Sequence, residues 1–347
     1  MLIGDEGLAM HGLRAHAAAL LRRLTLVCIA AVIAASAPPA WAASLGELVS
    51  AVVRVKASIE PDGRTLDTLG REREGSGIVI DDNGLVLTIG YLIVEARTAE
   101  IGTNDGRTIP ATVVGYDHET GFGLVRALLP LKVSPLPFGT AAAVKEGEPA
   151  LVASFGGPDM VEPARIAAKR AFAGGWEYLL DGALFTTPPH SAWSGAALIS
   201  RDGKLVGVGS LLVPDAGRAG EKEPGNMFVP IDLLPPILAD LVANGRKTGA
   251  ARPWLGLSAA EVNGELRVTR VIPGSPAARA GIRAGATTIV GVNGAPATSL
   301  ADFYRKVWAL GPAGTAVPLD LMQDDEARRV EVMSANRLDH LKLNSSL

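Results

Sequence analysis

Short apolar runs separated by turn residues follow one another along most of the chain. The first series begins near residue 49 and is rich in β-branched residues, and an Asp-Asn-Gly turn joins two of its members as in a β-hairpin. Many short strands with turns between them indicate an all-β barrel or sandwich. The runs predict strands at residues 49–59, 75–80, 85–89, 98–102, 109–116 and 123–127.

A second series of similar length follows, and Asp202-Gly203 supplies a tight turn between two of its members. The apolar segment at residues 231–244 predicts a helix that begins after Pro236 and ends at Gly245. The second series predicts strands at residues 149–155, 165–172, 183–187, 196–200, 204–212 and 226–230.

A third pattern begins after a predicted linker at residues 246–252. Ser299 and Asp302 have the spacing of a capping box, which predicts a helix from there to about Leu310. Residues 336–347 predict a frayed tail. The other predicted elements are a short helix at 277–280 and strands at 254–257, 266–271, 288–292, 317–322 and 329–333.

The N-terminal segment has the pattern of a targeting sequence. Three arginines precede an apolar run at residues 24–35, which is short for a membrane span, and Ala40-Trp41-Ala42 fits a small-x-small cleavage site. We therefore expect a signal peptide at residues 1–42 and a periplasmic or secreted mature chain. The alternative is an uncleaved segment that anchors the chain in the membrane. Cys28, the one cysteine, lies inside this segment, so the mature chain would contain no thiol.

Charge and composition narrow the set of partners. The chain has 33 Lys and Arg against 36 Asp and Glu, a formal net charge of −3, and no Arg/Lys-rich run. Nucleic acid is therefore not an expected partner. We expect no cofactor and no metal site.

Residues 190–198, with the sequence HSAWSGAAL, place Ser194 among small residues directly before a predicted hairpin. This stretch resembles the Gly-Asn-Ser-Gly-Gly-Pro-Leu signature of the HtrA/DegP proteases, with Ser194 at the position of the nucleophile. The runs GSGIVI at 75–80, GLVLT at 84–88 and VVGYD at 113–117 are similar to further landmarks of that family. Residues 253–334 resemble its PDZ domain, through Leu255-Gly256, PGSPA at 273–277, AGI at 280–282 and VNG at 292–294.

The resemblance implies a mainly β fold, in which a trypsin-like double six-stranded β-barrel is followed by a PDZ domain. The expected organisation is a signal peptide at 1–42, a protease domain at 43–245, the linker at 246–252, a PDZ domain at 253–336 and a tail at 337–347.

The resemblance also implies a catalytic triad, and here the chain departs from the family. Trypsin-like enzymes use His, Asp and Ser in that chain order. Tyr91 stands at the position of the histidine and Gly121 at that of the aspartate. Tyrosine has an ordinary pKa of ~10 and is a weak base at neutral pH. We therefore expect Ser194 to be a retained nucleophile without its base, and the chain to be inactive, although its status as an enzyme stays open.

Three other residues could substitute for the missing base. The nearest candidates in sequence are His118, His190 and Lys204. We expect His118 to be a solvated loop residue, His190 to lie on the surface and Lys204 to be solvated on its turn, so that none of them acts as the base. A nucleophile elbow of the α/β-hydrolase type is excluded, because that motif needs glycine two residues on either side of the serine.

The expected oxyanion hole, formed by residues 192–194, is also altered. Ala192 replaces a glycine and is strained if the backbone angles favour glycine. Trp193 is bulky and could fill the cleft, and Ser194 completes the set.

The PDZ-like region retains more of its binding residues. Trp254, Leu255, Gly256 and Leu257 resemble the loop whose amides capture a C-terminal carboxylate, next to a strand edge that is open for a peptide. Leu300, Tyr304 and Val307 lie at helical spacing and serve either the peptide groove or the core.

Together these observations predict an exported HtrA-like pseudoprotease that binds peptides or unfolded segments, including C-termini. It would act as a chaperone, an adaptor or a regulator of active HtrA-type relatives, either alone or as a homo-oligomer. The alternatives are a weakly active serine endopeptidase that uses Ser194 with a non-standard base, and a structural envelope protein whose barrel assembles partners.

Overall fold

A computed structural model describes residues 46–217 and 221–343. The predicted signal peptide lies outside the described residues. Residues 47–50 are helical, and the strands that follow form two closed six-stranded barrels and one further six-stranded sheet. Within the described residues, no helix is both long and apolar enough to cross a bilayer.

The first barrel contains the six strands predicted from the first apolar series. Its antiparallel strand order is β1-β2-β3-β6-β5-β4, with a short helix α1 (Leu66–Leu69) between β1 and β2 and a 3-10 turn (Gly90–Leu92) after β3. The strands are β1 (Val52–Ile59), β2 (Glu72–Val79), β3 (Leu85–Ile89), β4 (Ala96–Gly102), β5 (Thr108–Tyr116) and β6 (Phe122–Ala127).

The second barrel contains the second predicted set, in the order β10-β11-β12-β9-β8-β7. Helix α2 (Pro235–Asn244) follows it and ends at Gly245, which adopts the left-handed conformation. The strands are β7 (Pro149–Ala153), β8 (Val161–Gly174), β9 (Tyr178–Thr187), β10 (Ala197–Ile199), β11 (Leu205–Val213) and β12 (Gly225–Pro230). Further 3-10 turns span Ala141–Ala143, Pro158–Met160 and Ile231–Leu233.

The hairpin formed by β8 and β9 is longer than predicted. The apolar pattern ends at residue 172 and resumes at 183, because the intervening AGGWEYLLDG is rich in glycine. The strands nevertheless continue to Gly174 and from Tyr178, which face each other across the tip. Contacts with the third sheet, described below, account for this extension.

The third sheet has the strand order β13-β14-β15-β17-β18, with β16 paired to β15. Ser299 caps helix α4, since its hydroxyl accepts from Asp302 N at 3.1 Å, as the sequence predicts. The elements are β13 (Leu257–Val262), β14 (Glu265–Val271), α3 (Pro276–Arg279), β15 (Thr287–Val292), β16 (Ala295–Pro296), α4 (Leu300–Ala309), β17 (Ala316–Gln323), β18 (Glu326–Met333) and α5 (Arg337–His340).

Two sequence predictions in this region were wrong. Trp254 does not begin a strand: it forms an isolated bridge with Ala335, and β13 begins only at Leu257. The described part of the tail is not frayed either. It forms α5, packs the His340 ring against Trp254 with 4.9 Å between ring centroids, and donates Lys342 N to Glu95 at 2.7 Å.

A buried core joins the two barrels and positions the loop that carries Ser194. Phe122 and Phe185, one from each barrel, are fully buried in the same apolar cluster. The loop itself is fastened to β2, because Ser76 N donates to Ser194 O at 2.7 Å. Gly195 has φ of 74°, and a Cβ there would lie 1.9 Å from Ser76 O. Only glycine fits this close approach.

Replacing Gly195 with alanine should therefore be costly. We expect Gly195→Ala to lower the free energy of unfolding by about 3 kcal/mol, through left-handed strain and overpacking together. Gly203→Ala is a matched control, because Gly203 has φ of 71° in the same barrel but its Cβ would make only an ordinary contact, 3.4 Å from Leu48. The control should lose about 1 kcal/mol. Urea unfolding followed by circular dichroism measures both, and equal losses would contradict the packing argument.

Candidate active site and peptide groove

The structure brings Ser194 and Tyr91 together. Ser194 lies on the loop between β9 and β10, and Tyr91 lies on the 3-10 turn after β3. Their hydroxyl oxygens are 2.6 Å apart, and Tyr91 Oη donates to Ser210 O at 2.8 Å. A phenol has one proton, so the Ser194 hydroxyl must donate to Tyr91 Oη. The serine proton is thus directed at a phenol.

The phenol of Tyr91 is held in its neutral form. Burial raises the pKa of Tyr91 to about 12, despite the opposing effect of hydrogen bonds with the Ser194 and Trp193 side chains. A neutral phenol is a far weaker proton acceptor than an imidazole. The pair therefore has the geometry of a nucleophile and base without the basicity.

Gly121 contributes backbone rather than a carboxylate. Its carbonyl accepts from Gly90 N at 2.7 Å, next to Tyr91, and its φ of 86° is left-handed. A Cβ at this position would lie 3.1 Å from the hydroxyl of Tyr178, which donates to Thr120 O at 2.6 Å. The nearby carboxylate of Asp117 accepts from Thr120 N at 2.9 Å and so stabilises the turn.

The prediction of a surface position was wrong for His190, which the fold buries, and His118 is less solvated than predicted. His190 is only 1% exposed, and its Nδ1 accepts from Ala192 N at 3.0 Å while Nε2 lies 3.4 Å from Met160 O. His118 is half-buried, and burial together with Arg337, Arg252 and Lys247 lowers its pKa to about 3.

Neither histidine provides the missing base, and Lys204 lies exposed on its turn, as predicted. Within the part of the chain that the structure describes, no histidine or lysine makes a hydrogen bond with Ser194.

The bond from Ala192 N also removes a donor from the expected oxyanion hole. An oxyanion hole requires amides aimed at the developing charge, whereas this amide points to His190. The neighbouring carbonyls are occupied as well: Ser154 Oγ donates to Ala192 O at 2.6 Å, and Ala196 N donates to Trp193 O at 3.0 Å. Sequence reasoning identified the substituted glycine but not the histidine that takes up the amide.

The loop at residues 254–257 has an unexpected occupant. The amides of Leu255, Gly256 and Leu257 all donate to the carboxylate of Glu177, at 2.8, 2.6 and 3.0 Å. Glu177 lies at the tip of the β8–β9 hairpin of the second barrel. Trp254 does not bond to Glu177; its backbone pairs with Ala335 and its ring packs against His340.

All three predicted helix residues are buried in the core of the third sheet, and two of them also border the groove. Tyr304 faces the hairpin: its hydroxyl donates to Gly174 O at 2.8 Å and accepts from Glu177 N at 3.1 Å. Leu300 borders a cleft of about 510 Å³ beside Trp176. Val307 packs in the buried core of the third sheet.

The strand edge that was predicted to be open is occupied as well. Ala259 N, on the edge strand β13, donates to Gly175 O at 2.9 Å.

Glu177 is itself an unusual residue in its position. It is 6% exposed and has a left-handed φ of 59°, which side chains other than glycine and asparagine rarely adopt. Burial raises the pKa of Glu177 to about 7, an effect that exceeds the opposing effect of the three amides. Nothing in the local sequence predicts a distant partner for this turn residue.

The described residues contain no cluster of three or more His, Cys, Asp or Glu side chains that could hold a metal ion.

Comparison with known proteins identifies the class. Residues 75–208 match the family described as trypsin-like peptidase domain, and residues 267–321 match the PDZ domain family. The solved structure of the HtrA-type protease AlgW with a decapeptide superimposes with a TM-score of 0.53 at 19% identity, covering 86% of this chain and 99% of that one. A serine endoprotease from Yersinia pestis gives a TM-score of 0.51 at 22% identity, with 86% and 99% covered.

The chain is also similar to curated serine proteases. The periplasmic serine endoprotease DegP of Escherichia coli strain K12 is 27% identical over 285 residues, which cover 76% of this chain and 58% of DegP. The serine protease PepD of Mycobacterium tuberculosis is 27% identical over 311 residues, or 82% of this chain and 65% of PepD. This chain combines a trypsin-like peptidase domain with a PDZ domain and is homologous to the DegP/HtrA serine proteases. It spans little more than half the length of DegP.

The raised pKa values of the tyrosines predict how tyrosine ionisation and stability depend on pH. All four tyrosines, residues 91, 116, 178 and 304, have a pKa above the ordinary value, chiefly through burial. The folded chain should therefore show little tyrosinate absorbance at about pH 10, where an unfolded chain is half titrated. Above the ordinary pKa of the free side chain, the tyrosines of the unfolded chain lose their protons while those of the folded chain keep them. This difference favours unfolding, so stability should fall above about pH 10.

Spectrophotometric titration in buffer and in guanidinium measures tyrosine ionisation in the folded and the unfolded chain. Comparison with Tyr91→Phe identifies the part of the absorbance change that comes from Tyr91. Ionisation of one tyrosine at about pH 10 in the folded wild type, absent from Tyr91→Phe, would contradict the assignment.

Proposed function

We propose that this chain is an HtrA-type pseudoprotease of the periplasm, which binds peptides through its PDZ domain and does not hydrolyse them. The observation that carries the proposal is the hydrogen bond of 2.6 Å from Ser194 to Tyr91, whose own proton goes to Ser210 O. The phenol is neutral, because burial raises the pKa of Tyr91 to about 12, so Ser194 has a hydrogen-bond acceptor but no base that can remove its proton.

The site also lacks a donor that would stabilise the transition state. Acyl transfer requires stabilisation of an oxyanion, and loss of one donor costs about 10²–10³ in rate. Ala192 N is bonded to His190 and does not point outward. The missing base and the missing donor act on the same step, so repairing one does not restore catalysis.

Peptide binding is supported by the loop at residues 255–257. Three convergent amides accommodate a carboxylate, and a strand edge lies beside them for main-chain pairing. The AlgW structure carries a decapeptide by its own description. We infer that peptides and unfolded segments are the partners of this chain, in the role of a chaperone, an adaptor or a regulator of active relatives. A periplasmic location is supported by relatives described as periplasmic.

A second candidate is a weak endopeptidase that uses Ser194. One observation favours it: the serine keeps its place, with its loop fastened to β2 by Ser76 N and its hydroxyl beside the residue at the histidine position. This function would require Tyr91 to leave and another base to enter.

A fluorophosphonate probe distinguishes the two candidates. We expect wild type and Ser194→Ala to label equally at background, with Escherichia coli DegP as the active control. Casein hydrolysis should likewise be equal in the two forms. Labelling of the wild type that disappears in Ser194→Ala would overturn the pseudoprotease proposal.

Rebuilding the triad should fail for a structural reason. Tyr91→His with Gly121→Asp adds a base and a carboxylate, but Ala192 N remains bonded to His190 and the aspartate inherits a φ of 86°. We expect labelling at least ~10²-fold slower than that of DegP. Labelling as fast as that of DegP would show that the oxyanion hole is intact.

A further inference from the structure

The tip of the β8–β9 hairpin lies in the peptide groove of the PDZ domain. The groove runs between the edge strand β13 and helix α4, and Gly175 O pairs with Ala259 N of that strand at 2.9 Å. The approach is close, since a Cβ on Gly175 would be 2.6 Å from Ala259 O. The tip thus makes the kind of main-chain contact by which an added peptide strand binds a sheet edge.

Glu177 occupies the end of this groove. Its two carboxylate oxygens take all three amides of residues 255–257, each at 3.0 Å or less. A C-terminal carboxylate has the same two oxygens and the same charge, so it would need the same amides. The side chain and an external C-terminus therefore exclude each other.

Two further residues bond to the tip. Tyr304, on α4, bonds with both Gly174 O and Glu177 N. Arg337, in α5, donates to Trp176 O at 2.9 Å. The left-handed backbone at Glu177 is retained although it costs about 1 kcal/mol for a side chain other than glycine. These contacts compensate for that strain.

We propose that residues Gly174–Tyr178 are an intramolecular ligand of the PDZ groove, with the Glu177 side chain standing in place of a peptide's C-terminal carboxylate. The external ligand is then a peptide with a free C-terminus, and it binds only after the hairpin tip leaves. This inference rests on the proposed function, because it assumes that the groove accepts peptides.

The fraction of time for which the tip occupies the groove determines how much weaker an external peptide binds. If the tip occupies the groove for 90–99% of the time, the apparent affinity for an external peptide is reduced by about 10- to 100-fold. Removal of the Glu177 carboxylate should restore that factor.

Hydrogen exchange measures the occupancy of the loop directly. In the mature chain, the amides of residues 255–257 should exchange at least about 10-fold faster in Glu177→Gln than in wild type. Glu177→Gly is the second variant, because glycine suits the left-handed turn and removes the carboxylate without strain. Arg337→Ala should also speed exchange, since it releases Trp176 O while leaving Glu177 unchanged. Glu162→Gln, an exposed charge change on the same hairpin, is the matched control and should behave as wild type.

Peptide binding is then measured on the same proteins. The probe is a fluorescein-labelled pool of decapeptides with random final residues, in free-acid and amidated forms. We expect Glu177→Gln and Glu177→Gly to bind the free-acid pool about 10- to 100-fold more tightly than wild type and Glu162→Gln, with no gain for the amidated pool.

Unchanged exchange in both Glu177 variants would overturn the inference. If the wild type binds the free-acid pool, faster exchange in the variants without tighter binding would also overturn it. Absence of binding in every protein would instead contradict the proposed function, while the exchange rates would still decide whether the tip occupies the loop.

Discussion

One buried carboxylate connects the second barrel to the PDZ domain. Glu177 has little access to water, so its charge must be compensated within the protein, and the three amides of residues 255–257 provide that compensation. Each side of the contact depends on the other: without Glu177 the amides would lose their acceptor, and without the loop the carboxylate would be buried without donors. The extended hairpin, the bonds of Tyr304 and the contact with Arg337 are all arranged around this interaction.

At the Ser194 site, internal partners likewise bond to the hydroxyl and the amide that an active enzyme keeps free for its substrate. The hydroxyl of Ser194 donates to Tyr91, and the amide of Ala192 donates to His190. Both bonds are partly buried, so a group left without its partner would lose a hydrogen bond that water replaces only in part. The site keeps the scaffold of a trypsin-like enzyme while its reactive groups stabilise the folded protein.

These two features together change how the PDZ domain is expected to work. A groove already filled by a segment of the same chain responds to competition rather than to simple exposure, so its apparent affinity depends on how often the tip leaves. The tail contacts both sides, because Arg337 donates to Trp176 O at the tip and Lys342 N donates to Glu95 of the first barrel. Under the proposal, binding at the groove would be coupled to these contacts.

The sequence alone determined the two sets of six strands, the capped helix α4 and the positions of Ser194, Tyr91 and Gly121. These features depend on local apolar patterns, turn residues and linear motifs, which the chain carries without reference to its fold. Only the tertiary structure decided the burial of His118 and His190, the packing of the tail and the occupation of the loop by Glu177. Residues 177 and 256 are far apart in sequence, and a turn rich in glycine carries no sign of its partner. Contacts of that kind arise from the packing of whole domains, which no local pattern encodes.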